Sequence, residues 1–342
     1  MNVFPLEKLE SPSGTNFVSQ LRYDEQVRRN DNRNILPLAK SEQCVMTKQV
    51  RRNANLRFCL WQNLNNCVII HWVWYFGNKG LCMKIAFFDS GIGGLAVLHH
   101  AMKVLPQEQF IFFADEDHVP YGVKPREQVM EFVGEAFDFL VGKGVKAIVT
   151  ACNTATSVAV KEMRDRYDIP IIGMEPAAKR ALDLDGEHRV LVVATPITVS
   201  GQKMKVLIEH VDREHLVDLL PLPRLVEFAE RAEFRSPEVS DYLQRQMASY
   251  DFSRYSALVL GCTHFNYFKD TFREILPDNV HFVDGNEGTV RELIRQLRKR
   301  DALEEQSFSV EYFYSGRKVD DPVELERLQS YLARLDDMDA IR

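Results

Sequence analysis

Two thiols define the chemistry this chain could do: Cys152 in "ACNTA" and Cys262 in "LGCTHF". Each closes an apolar run with strand character ("AIVTAC", 147–152; "ALVLGC", 257–262), and each is followed by polar residues that open a helical stretch. Those followers are Asn153 and Thr154 in the first case, Thr263 and His264 in the second. A thiol at such a junction meets the positive end of a helix dipole, which favours thiolate, so both are expected to be activated from the ordinary value of ~8.5. One cysteine beside a histidine suits nucleophilic acyl transfer. Two cysteines on opposite walls of a cleft suit another task, in which one removes a proton from one face of a carbon and the other returns a proton to the opposite face. The centre inverts. Such a pair must be held as one thiolate and one thiol, with coupled titrations if they lie close.

Two further motifs sit at comparable places. "DSGIGG" (89–94) puts Asp89 and Ser90 at a strand end, then glycines that let the backbone turn and approach a ligand closely. Asp89 is the natural acid on the Cys152 side, as His264 is on the Cys262 side; an isolated Asp-Ser at this junction also reads as a helix N-cap. The glycine spacing is not that of a dinucleotide-binding loop. "VPYG" (119–122) reads as a turn whose backbone at Tyr121 and Gly122 could hydrogen-bond a carboxylate, and a turn alone fits equally.

Other uses of the two cysteines have weaker support. A zinc site from Cys152, Cys262 and His264 has suitable ligand types without any close-spaced cluster. A redox disulfide needs Cα atoms within ~7 Å, which a substrate-sized cleft prevents. Pyridoxal phosphate needs a Schiff-base lysine, and none stands beside these strand ends. No metal and no cofactor is therefore expected. Chance remains open, since free cysteine is among the most buried residue types.

The elements that must position these residues follow from the apolar period. From Met83 onward short apolar strands alternate with amphipathic helices, which predicts an α/β fold with mostly parallel sheets. Expected strands are 84–89, 110–115, 147–152, 169–173, 190–195, 257–262, 281–284 and 311–314. A helix over 125–141 places Val129, Phe132, Val133, Ala136, Phe137 and Leu140 on one face, with Pro125 in its first turn. The order of motifs repeats: Asp89 precedes Cys152 by 63 residues and Thr195 precedes Cys262 by 67. Two similar halves are implied, with a cleft lined by Asp89, Cys152, Thr195 and Cys262 at the carboxyl ends of their strands.

Composition sets the outer bounds. A chain of 342 residues with 45% apolar content is long enough for two ordinary domains, and a net charge of −6 gives no reason to expect nucleic acid or an anionic membrane as partner. Six cysteines without a CxxC pair suggest reduced thiols and a cytoplasmic location. The character changes near residue 83. Residues 1–82 hold 11 Lys/Arg against 6 Asp/Glu, all three tryptophans and 11 of the 15 asparagines. Their one strongly apolar run, 67–76, is about half the ~20 residues needed to span a membrane. We expect residues 1–82 to be an upstream extension outside the fold, with Met83 as the working start; a genuine regulatory extension is the rival reading.

Taken together, "IAFFDSGIGGLAVL", "VPYG", "ACNTA", "TPITVSG" and "LGCTHF" resemble the glutamate racemases of bacterial cell-wall synthesis, from Met83 to about residue 335. The resemblance implies two pseudosymmetric α/β domains with the active site between them, the first from 83–175 plus 286–335 and the second from 176–285. It implies cofactor-independent interconversion of L- and D-glutamate, supplying D-glutamate for peptidoglycan, by a homodimer. Cys152 would act on the D-enantiomer and Cys262 on the L-enantiomer, assisted by Asp89 and His264. Asp89, Ser90, Tyr121, Gly122, Asn153, Thr154, Thr263 and His264 would hold the substrate, and Glu227 in "PRLVEF" would support the Cys262 side. The chain departs from the family at "FADEDHVPYG", with Ala114 where glycine is usual and "EDH" in place of small or basic residues, and again at "VDGNEG". An aspartate or hydantoin racemase, or a non-catalytic protein that binds an acidic amino acid, would share much of this pattern.

Overall fold

A computed structural model describes residues 83–174, 177–184, 187–305 and 307–341, together with three upstream strands. Those strands, β1 (Cys44–Thr47), β2 (Cys59–Asn63) and β3 (Val68–His71), form an antiparallel sheet in the order β1-β2-β3. The chain divides into two compact units, Met1–Leu81 and Cys82–Arg342. The remaining expectations for residues 1–82 lie outside the described residues.

The second unit contains two sheets. Strands β4 (Ile85–Asp89), β5 (Gln109–Ala114), β6 (Ala147–Thr150) and β7 (Ile171–Gly173) belong to a sheet completed by two late strands. The other sheet is built from β8 (Arg189–Ala194), β9 (Val217–Pro221), β10 (Tyr255–Leu260) and β11 (His281–Val283). The late strands are β12 (Ser309–Tyr314) and β13 (Arg317–Lys318), giving the order β13-β12-β5-β4-β6-β7 beside the four-stranded β11-β10-β8-β9. Every pairing in the two sheets is parallel except β12 with β13.

Central parallel strands are covered on both faces and therefore read as unbroken apolar runs. β4 and β10 are buried along their whole length. The helix Arg126–Gly142 turns Val129, Val133, Ala136, Phe137 and Leu140 inward, where Phe137 meets Phe88 of β4 edge-on. Phe132, expected on that face, is only half-buried and stacks on His118. β9 was not expected. It is an edge strand that is mostly half-buried, so its sequence "VDLLP" lacks the apolar continuity that marked the others. Among the described residues no helix is long and apolar enough to cross a membrane.

Candidate active site

The strands stop two residues before the thiols. β6 ends at Thr150 and β10 at Leu260, so Cys152 and Cys262 lie past the strands rather than within them, each as the N-cap of the following helix. The Cys152 Sγ accepts the backbone N–H of Ala155 at 3.4 Å, capping the helix Asn153–Val158. Cys262 precedes a six-residue 3-10 helix, Thr263–Phe268. Asp89 is the last residue of β4, and Thr195 caps the helix after β8. The common end of both parallel sheets thus gathers residues far apart in sequence.

All ten expected site residues line one cavity: Cys152, Cys262, Asp89, Ser90, Tyr121, Gly122, Asn153, Thr154, Thr263 and His264, joined by Pro120, Thr195 and Val226. The open space is about 10 Å³, room for one water molecule. Both thiols are buried, at 6% and 7% exposure, and neither is in a disulfide. Among the described residues no group of three or more His, Cys, Asp or Glu side chains is placed to hold a metal ion, so the zinc arrangement is not formed.

Asp89 does not act as a helix cap. Its Oδ1 accepts the Ser90 backbone N–H at 2.6 Å, and its Oδ2 accepts the Thr263 hydroxyl at 2.9 Å, tying the end of β4 to the segment after β10. Burial pushes its carboxyl above the ordinary value, while His264, Thr263 and Ser90 pull it back in part. The Ser90 hydroxyl in turn lies 3.6 Å from the Cys152 Sγ. Thr154 meets Thr195 at 2.9 Å, which ties the segment after β6 to the segment after β8.

The two thiols sit in opposite electrostatic surroundings. Burial, and then the charge of Asp89, push the Cys152 thiol well above its ordinary value; the Ala155 N–H and the Ser90 hydroxyl offset this only partly. The expected activation of Cys152 by its helix is therefore corrected. A helix of six residues has too few aligned peptides to outweigh the burial of the thiol and the neighbouring Asp89 carboxylate. On the other side the Cys262 Sγ lies 3.7 Å from His264 Nδ1. Burial opposes charge on that ring, yet hydrogen bonds to Cys262 and Glu230 and their charges hold its pKa well above the usual value.

Glu230 corrects a second expectation. Its Oε1 lies 2.5 Å from His264 Nε2 and accepts the Ile92 backbone N–H at 3.1 Å. Glu227, expected in this role, is exposed. Both acids lie on the helix Arg224–Glu230, three residues apart, and the buried positions Leu225, Val226, Phe228 and Ala229 set which face turns inward. That period was the signal available in the sequence, but at the end of a short helix it does not single out Glu230.

The glycines of "DSGIGG" leave room for the site's own side chains. Gly91 has an ordinary extended φ of −160°, so its need is spatial. A Cβ on Gly91 would stand 1.9 Å from Glu230 Oε1, and one on Gly93 would stand 2.3 Å from His264 Nδ1. At "VPYG" the Val119–Pro120 peptide is cis and a 3-10 helix, Tyr121–Val123, follows. The Tyr121 hydroxyl donates to Asp115 at 2.6 Å, and Pro120, Tyr121 and Gly122 line the cavity.

Residues 96–293 match the family model described as Asp/Glu/Hydantoin racemase. A protein named glutamate racemase from Campylobacter curvus is 55% identical over 262 residues, covering 75% of this chain and 98% of that one. The solved glutamate racemase of Francisella tularensis in complex with D-glutamate is 26% identical with a TM-score of 0.63, covering 73% of this chain and 93% of that one. The Escherichia coli glutamate racemase, solved with L-glutamate and the activator UDP-MurNAc-Ala, is also 26% identical with a TM-score of 0.63, over 74% of this chain and 95% of that one.

Proposed function

The chain belongs to the Asp/Glu/Hydantoin racemase family, and from that premise we propose that it interconverts L-glutamate and D-glutamate by thiol acid/base chemistry, supplying D-glutamate for peptidoglycan. The observation that carries this reading is the pair Cys152 and Cys262 lining one buried cavity from matching N-cap positions after β6 and β10. The asymmetry of their surroundings supplies the required starting state. Burial and Asp89 hold Cys152 as a thiol, and Cys262 lies 3.7 Å from the His264 ring, whose pKa is held well above its usual value.

In the L-to-D direction Cys262 takes the α-proton of L-glutamate while Cys152 gives its proton to the opposite face, and the D-enantiomer leaves. The reverse reaction runs the same steps backwards with Cys152 as base. Asp89, Ser90, Tyr121, Gly122, Asn153, Thr154, Thr263 and His264 hold the ammonium and the two carboxylates. We assign residues 83–175 plus 286–335 to one domain and 176–285 to the other; β4 to β7 with β12 and β13, and β8 to β11, respectively, support that division. The same reading carries a homodimer acting in the cytoplasm, and sedimentation velocity checks the assembly.

Circular dichroism of glutamate, with solvent deuterium incorporation at the α-carbon, tests the reaction. Cys152→Ala and Cys262→Ala are each expected to abolish racemisation in both directions, and full activity in either one overturns the two-thiol mechanism. Aspartate and hydantoin substrates run beside glutamate distinguish this enzyme from others in its family.

A further inference from the structure

The pair of Glu230 and His264 stands behind Cys262, and Glu230 must be held from both ends for the pair to keep its geometry. At the carboxylate end, Oε1 lies 2.5 Å from His264 Nε2 and accepts the Ile92 N–H at 3.1 Å. The Ile92 carbonyl accepts the Tyr267 hydroxyl at 3.1 Å, so the main chain that meets the carboxylate is itself fixed. The backbone end is harder to hold. Glu230 is the last residue of a seven-residue helix, where the helix's own N–H groups run out.

The N–H groups of Arg231, Ala232 and Glu233 turn back to the carbonyls of Glu227, Ala229 and Phe228. The Glu230 carbonyl accepts from elsewhere: Arg327 Nη2 at 2.8 Å and the Tyr331 hydroxyl at 3.3 Å, both on the helix Pro322–Asp339. The same hydroxyl donates to the Ala229 carbonyl at 2.9 Å, so its single proton is shared between two consecutive carbonyls. Tyr331 is 1% exposed, with its ring edge-on to Phe234 at 5.9 Å and 5.4 Å from Tyr267. A phenylalanine would fill that space as well. Packing therefore does not require the hydroxyl, and the hydroxyl is aimed at the turn of backbone that carries Glu230.

We propose that Tyr331 is a positioning residue of the racemase reaction, its hydroxyl holding the main chain at Ala229 and Glu230 so that the Glu230 carboxylate reaches His264 behind Cys262. Each link is a short contact: Tyr331 to the Glu230 carbonyl, Glu230 Oε1 to His264 Nε2, and His264 Nδ1 to the Cys262 Sγ at 3.7 Å. Tyr331 does not line the cavity, so it acts on the reaction only through Glu230. A misplacement of about 1 Å in a catalytic group can cost on the order of 100-fold in rate, and a smaller shift costs correspondingly less. Removing the hydroxyl leaves neither carbonyl unpaired, because Ala229 keeps the Ala232 N–H at 2.9 Å and Glu230 keeps Arg327. The fold should therefore tolerate Tyr331→Phe while the position of Glu230 loosens. This inference rests on the racemase reading and extends it to a residue outside the cavity.

The test uses the full chain with Tyr331→Phe, Glu230→Gln and the two combined. For Tyr331→Phe, kcat should fall about three- to tenfold with KM little changed, and iodoacetamide labelling of Cys262 should slow while that of Cys152 does not. In the Glu230→Gln background, Tyr331→Phe should change kcat less than about twofold, because the carboxylate it positions is already gone. An unchanged kcat, a loss confined to KM, or the same loss in both backgrounds each overturns the positioning role. Labelling needs no turnover, so it separates the two readings: absence of glutamate racemisation by the unaltered chain overturns the racemase reading, and an unchanged Cys262 labelling rate in Tyr331→Phe overturns the positioning role whether or not racemisation occurs.

Discussion

Glu230 and His264 form a close pair at 2.5 Å across the imidazole from Cys262, so the ring is charged by a group that never touches the thiol. Burial alone would lower the ring's pKa, and its bonds to Cys262 and Glu230 reverse that. Replacing Glu230 by Gln keeps the shape and removes the charge. The ring should then lose its proton at lower pH, and the high-pH edge of L-to-D racemisation should move down. We expect kcat to fall about 10- to 100-fold with folding intact by circular dichroism. An unmoved edge argues against this role.

The opposite surroundings of the two thiols predict an order of alkylation. Cys152 is held protonated by burial and by Asp89, whereas Cys262 faces an imidazolium. Iodoacetamide at neutral pH should therefore label Cys262 before Cys152, as read by peptide mapping. Asp89→Asn removes the negative charge beside Cys152 and should raise its labelling rate relative to wild type. Faster labelling of Cys152 in the unaltered protein would contradict the assignment.

How far this site could be read in the sequence depended on whether a residue's role is local. The buried strands announced themselves as apolar runs, and Cys152, Cys262 and Asp89 were legible because each lies at or just past the end of one. β9 escaped because an edge strand need not be apolar throughout. Glu230 escaped because its partner His264 is 34 residues away and nothing local distinguishes it from Glu227. The raised pKa of Cys152 is hidden for the same reason, since a helix dipole is visible locally whereas burial, and after it the field of Asp89, are not. At Gly91 and Gly93 the backbone is approached closely by the site's own Glu230 and His264, contacts across the fold that no local pattern announces.

That close approach gives a steric prediction. In Gly93→Ala the new methyl would stand 2.3 Å from His264 Nδ1, so the ring must move away from Cys262. The loss should appear mainly in kcat, about tenfold or more, because the proton-transfer geometry changes rather than the substrate contacts. An alkylation assay supplies a second readout, since Cys262 should lose its advantage over Cys152. Wild-type kcat in Gly93→Ala would show that the ring can yield without consequence.

Away from the site, Lys146 and Glu108 form a buried ion pair at 2.7 Å, with side-chain exposures of 4% and 2%. Glu108 also accepts the Glu304 backbone N–H at 3.0 Å, so it is anchored independently of the lysine. Lys146→Met strands that carboxylate and should cost about 3–5 kcal/mol in urea unfolding. The double variant Lys146→Met with Glu108→Leu should recover part of the loss, because the Glu108 charge is then gone, while Glu304, which also pairs with Lys146 at 3.7 Å, keeps the recovery incomplete. A double variant less stable than Lys146→Met would refute this account.

The pH dependence of stability follows from Glu116 with a definite sign. Burial, then the charge of Glu230, raise its folded pKa to about 7 against the pull of Arg327 and His264, while an unfolded glutamate titrates near ~4.3. A raised folded value means that the folded state holds the proton more tightly. The stabilisation is fully present below ~4.3 and is lost as pH rises through about 7. His264, also raised, loses its contribution in the same direction. The melting temperature should therefore fall between about pH 5 and pH 8. Gln at position 116 cannot ionise, so Glu116→Gln should show a smaller fall and melt roughly 2–5 °C above wild type at the upper end, with no such advantage at the lower end. Calorimetry of both proteins at the two pH values reads the difference, and parallel melting curves at every pH would show that Glu116 carries no buried charge.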